Sequence, residues 1–103
     1  MAVSSVVIWR PKDGKRKEFL ARLAEIKKIH ERVGARVRVR LTAVGGQPGT
    51  VVYIADHDDW EKFGQFRHSL DSDAEWQKFL ASAQANPLAE MVQTSVLVDA
   101  PGS

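Results

Sequence analysis

The sequence predicts an α+β domain: a four-stranded antiparallel sheet with helices on one face. Three observations predict it. The apolar spacing switches between period two and steps of three and four, in the order strand, helix, strand, strand, helix in two pieces, strand. Each half of that order is a βαβ unit. The length, 103 residues, fits one domain and little more.

Val3 to Trp9 is rich in β-branched residues and runs into Arg10-Pro11, where proline lacks the donor a ladder needs. Pro11-Lys12-Asp13-Gly14 is a turn. A helix follows from about Lys15 to Val33, with Phe19, Leu23, Ile26 and His30 on one stripe, widened by Leu20, Ile29 and Val33. Gly34 supplies the left-handed position that stops it. Ala35 to Val44 alternates strictly: Val37, Val39 and Leu41 point one way, and Arg36, Arg38 and Arg40 the other. Gly45 to Gly49 is a hairpin loop, and Val51 to His57 the returning strand. Asp58 or Asp59 caps the next helix, which carries Trp60 and Phe63. Ser72-Asp73-Ala74-Glu75 reads as a capping box opening another, with Trp76, Phe79, Leu80 and Ala83. That helix ends before Asn86-Pro87, and Met91 to Val98 is the last strand. The whole is the ferredoxin-like βαββαβ arrangement, one domain over residues 1–100 with a flexible tail at 101–103.

Composition removes several functions. There is no cysteine, which excludes thiol catalysis, thiolate zinc sites and disulfides. No His-x3-His or similar spacing occurs, so no metal is expected. Fifteen basic against thirteen acidic residues is too small an excess to argue for nucleic acid. The apolar run at the N-terminus is too short for a leader or a membrane span, so no membrane partner and a cytoplasmic location are expected. Gly45 to Gly49 opens no helix and is not a phosphate loop.

One layer of helices covers one face of a sheet. Strands one, three and four are nevertheless apolar on both parities: Val6 and Ile8 against Val7 and Trp9, Val52 and Ile54 against Val51 and Tyr53. The second face is therefore expected to meet another copy of the chain in a two-fold homodimer.

At this point the chain resembles the dimeric α+β barrels, ferredoxin-like protomers paired sheet to sheet around a cavity. Within that group it looks most like the NIPSNAP-type and antibiotic-biosynthesis-monooxygenase-type small proteins. Pro11 to Lys15, Asp59 to Arg67 and Ser72 to Phe79 carry the resemblance. It implies a cavity for a small molecule and admits cofactor-free oxygenation, isomerisation or cyclisation, but does not choose among them. Haem-degrading relatives use a first-strand asparagine; here Ser4 and Ser5 stand on that strand, and the only asparagine is Asn86.

The Arg36, Arg38, Arg40 ladder has three readings. It blunts the edge strand and pairs with acids such as Asp56, or Arg38 and Arg40 stand at the cavity mouth holding a carboxylate or enolate, or the ladder contacts nucleic acid. Hairpin register decides between the first two. Our preferred register puts Arg38 and Arg40 on one face with Tyr53, Ala55 and His57, and leaves Val37, Val39, Val52 and Ile54 under the helices. The candidate catalytic set is then His57 as proton acceptor with Arg38 and Arg40 as anion stabilisers. Trp9 and Tyr53 are candidate walls, and Ser5 and His68 further candidate ligand contacts. His30 reads as interacting with the end of its helix, and Trp60, Phe63, Trp76 and Phe79 as packing. The leading reading is a homodimer that binds an aromatic or polyketide-like anion and acts on it without a cofactor. The alternatives are a non-catalytic ligand-binding or accessory dimer, and haem binding through His57 or His68.

Overall fold

The computed structural model describes residues 1–102; Ser103, the end of the expected tail, lies outside the described residues. The elements are β1 (Val3–Pro11), α1 (Arg16–Arg32), β2 (Arg36–Leu41), β3 (Val51–His57), α2 (Trp60–Asp71), α3 (Ala74–Ala85) and β4 (Ala89–Val98). The strands lie in the order β2-β3-β1-β4, and every neighbouring pair is antiparallel. The extents, 41 × 37 × 17 Å, are those of one sheet under one layer of helices.

Local chemistry sets the boundaries. Gly34, at φ +115°, turns the chain out of α1 in a conformation that a side chain would strain. Asp59 is the N-cap of α2, its Oδ1 accepting from the Lys62 N–H at 2.8 Å. Asp73, not Ser72, caps α3, its Oδ1 accepting from the Trp76 N–H at 2.8 Å. Ser72 instead ends α2. β2 stops at Leu41, short of the expected Val44, because the loop beyond it is tied internally: the buried Thr50 hydroxyl donates to the Gln47 carbonyl at 2.7 Å. β4 starts at Ala89, two residues earlier than expected, since Pro11 pairs with Ala89 and the Lys12 N–H donates to the Leu88 carbonyl. A bulge opposite Ile8 and Trp9 leaves Val92 without a partner residue.

The register differs from the preferred expectation. Arg36 lies opposite Asp56, Arg38 opposite Ile54 and Arg40 opposite Val52, so the arginines share a face with Val52, Ile54 and Asp56. Tyr53, Ala55 and His57 lie with Val37 and Val39 on the face beneath the helices. The reason is Asp56. Turning Val52 and Ile54 inward would carry its carboxylate into the core, at a large desolvation cost. On the open face Asp56 instead accepts from Arg38 (Nη2 at 3.1 Å) and from the Ser4 hydroxyl. Arg36 pairs with Asp58 at 2.7 Å. The ladder therefore has its structural reading at Arg36 and Arg38, and Arg38 and Arg40 do not meet Tyr53 or His57.

The core forms between the sheet and two helices. Phe19, Leu23 and Ile29 from α1 and Phe66 and Leu70 from α2 pack on Val37, Val51, Tyr53 and Ala55. α3 buries no residue completely; Trp76 and Phe79 are half-buried against the core. Trp60, expected to pack, is 54% exposed.

Candidate ligand cavity

The incomplete packing of α3 leaves a cavity of about 540 Å³ between the sheet and the helices. Its floor is Ser5, Val7, Trp9, Tyr53 and Ala55 from β1 and β3. Its walls are Leu23, Ile26 and His30 from α1, Phe66, Arg67 and Leu70 from α2, and Trp76, Phe79 and Leu80 from α3. A largely apolar hollow with a few convergent polar groups is the usual form of a small-molecule site. It lies within one protomer, not in the chamber between two copies that the sequence led us to expect.

Three of the candidate residues come together here: Ser5, Trp9 and Tyr53. His57 sits beside the cavity without lining it, packed on Phe66 and Phe63 at ring-centroid distances of 4.7 and 5.3 Å. It is buried, at 2% exposure. Burial, and then the Arg36 charge, hold its pKa below the ordinary histidine value, while Asp56 and Asp58 pull the other way. His68 is exposed on α2 away from the lining, and Arg38 and Arg40 lie across the sheet.

The polar centre of the cavity is His30, for which the sequence suggests only an interaction with the end of its own helix. His30 Nδ1 lies 2.7 Å from the Tyr53 hydroxyl, and its Nε2 is buried with no hydrogen-bond partner. Phe66 meets the His30 ring edge-on at 5.3 Å, and Trp76 lies 4.7 Å away. Burial, then the Arg67 charge, then His57 lower the His30 pKa to about 4, so the ring is neutral at pH 7. Burial, reinforced by Glu31, pushes the Tyr53 hydroxyl up, so it keeps its proton. The Tyr53 O–H has no other described acceptor, and it therefore donates to His30 Nδ1. That fixes the imidazole proton on Nε2. The signal available in the sequence was a histidine in the apolar stripe of α1, where an ionisable group is costly.

The sequence matches no protein-family model and no curated protein. Solved structures do resemble it. A NIPSNAP family protein from Agrobacterium tumefaciens superposes with a TM-score of 0.76 at 20% identity, covering 100% of this chain and 97% of that one. An uncharacterised NIPSNAP domain protein from Burkholderia xenovorans gives 0.73 at 25% identity, over 100% and 98%. The chain has the fold of the NIPSNAP proteins. SnoaB, a cofactor-independent oxygenase from Streptomyces nogalater, gives 0.67 at 17% identity, over 96% and 93%. The NIPSNAP and SnoaB likenesses bear out the ferredoxin-like α+β arrangement over the whole length of the chain. Among the described residues no group of three or more His, Cys, Asp or Glu could hold a metal, and no helix is long and apolar enough to cross a membrane.

Proposed function

We propose that this chain binds an apolar, aromatic small molecule in the cavity between its sheet and its helices, as one half of a homodimer. The observation that carries the reading is the cavity itself: about 540 Å³, walled by aromatic rings, with α3 left half-packed over it. A bound ring system would supply the packing that α3 lacks, and burying its surface favours binding by roughly 25 cal/mol per Å² before association costs. The fold shared with the NIPSNAP proteins and with SnoaB supports the same reading.

The test fills the hollow from inside. Ala83 lines it from α3, so Ala83→Trp should occupy the space of a ligand. N-phenyl-1-naphthylamine, which fluoresces when buried, is expected to bind the native chain and to lose at least about tenfold in affinity for the variant. Equal binding to both proteins would show that the dye sits elsewhere.

The likeness to SnoaB favours a second reading, in which the bound molecule is also oxygenated without a cofactor. Uptake of dissolved oxygen by the protein with an electron-rich aromatic substrate, in rigorously metal-free buffer, is the measurement that supports it; absence of uptake across a panel of such substrates favours binding alone.

A further inference from the structure

Resting on the cavity reading above, the geometry points to the chemical class of the ligand: an aromatic carboxylate, received by the Nε2–H of His30 and the guanidinium of Arg67. His30 stands on the cavity wall with Nδ1 saturated by Tyr53 and with Nε2 buried and unpartnered. A buried donor without an acceptor is costly, and a ligand oxygen would remove that cost. Trp76 lies against the His30 ring and belongs to the one helix that buries nothing completely, so it is the side that can yield to let an oxygen reach Nε2.

The charge of the ligand follows from Arg67. It lines the same cavity, forms no hydrogen bond or ion pair among the described residues, and is close enough for its charge to act on His30. The other arginine in the lining, Arg22, is engaged with the Asn86 carbonyl at 2.8 Å. Two donors of different kinds, one neutral and one cationic, suit a group with two oxygens. A phenol would have to surrender its proton to bind as an anion, and His30, held neutral by its surroundings, is a poor acceptor for it. A carboxylate arrives already ionised.

The experiment compares 2-naphthoate, its neutral isostere 2-naphthamide, and 2-naphthol at neutral pH, following quenching of tryptophan emission, with isothermal calorimetry as a second readout. The native chain is expected to prefer 2-naphthoate over both neutral probes by about tenfold or more. Arg67→Gln, an exposed change that should leave the fold intact, should erase most of that preference while 2-naphthamide binding is kept, and His30→Leu should weaken binding of both probes, 2-naphthoate the more. His30→Gln, which retains a side-chain N–H, should restore part of the preference if the leucine variant folds poorly. Equal affinity for naphthoate and naphthamide, tighter binding of naphthol, or a preference untouched by Arg67→Gln would overturn the carboxylate assignment while leaving the cavity reading standing. Failure of all three probes to bind the folded native protein would overturn both.

Discussion

His30 and Tyr53 are two polar residues placed where the fold otherwise wants apolar ones, and their cost has a pH signature. The folded-state pKa of His30 is about 4, against an ordinary value of 6.5. Between those values the unfolded chain binds a proton that the folded chain refuses, so stability falls as the pH drops through that window. Above about pH 6.5 the contribution is constant. His57 is shifted in the same direction by burial and adds to the effect. Burial is the largest cause, and the charges of Arg67 and His57 oppose protonation of His30 further. Chemical denaturation at a series of pH values should show the native chain losing about 2 kcal/mol between pH 7 and pH 4, allowing for the residual exposure of His30. His30→Phe should flatten much of that slope. An unchanged slope in the variant would show that His30 is already solvated and titrates normally.

At the scale of elements, the caps were legible in the sequence to within one residue, and the reason for the error is informative. Ser72 and Asp73 are both good caps, but Ser72 is consumed in closing α2, so Asp73 opens α3. Asp73 also accepts from Arg32 at the end of α1, at 2.8 Å, which ties α3 to α1 beside the contact of Trp76 with His30. The Trp76 N–H first, and Arg32 second, hold its carboxyl below the usual carboxylate range. Asp73→Ala should therefore lower Tm clearly more than Ser72→Ala, and its largest effect should be faster amide exchange across residues 74–85. Equal effects of the two substitutions would restore Ser72 as the cap. Strand parity was harder to read. β3 is apolar on both faces, so Val51 and Tyr53 compete with Val52 and Ile54 for the inward side, and the valines of β2 fit either. The carboxylate of Asp56 settles it. Its parity is visible in the sequence, and the cost of burying a charge outweighs the gain of a purely aliphatic inner face.

For the whole molecule, element order and overall fold were legible because the period of the apolar pattern changes cleanly at each boundary. The cavity was not, since it arises from how little of α3 is buried, a property of packing that no spacing reports. The open face of the sheet carries Val6, Ile8, Val52 and Ile54 at its centre, with Leu97 beyond them and the paired arginines of β2 at one margin. An apolar centre with a charged rim is the pattern of an interface between copies, and two-fold pairing is its simplest closed form. Sedimentation equilibrium at micromolar concentration should give twice the protomer mass of 11.5 kDa, and Ile54→Glu should return the protomer. A native chain that sediments as a protomer would contradict this reading of the open face, with no consequence for the cavity on the other side.

Where a ligand sits relative to the sheet separates the site described here from one enclosed between two copies. Two-dimensional NMR of the labelled protein, titrated with N-phenyl-1-naphthylamine, reads that position directly. Shifts concentrated at Ser5, His30, Tyr53 and Trp76, beneath the helices, are the predicted outcome. Shifts confined to Arg38, Ile54 and Leu97, with the residues under the helices unmoved, would contradict it.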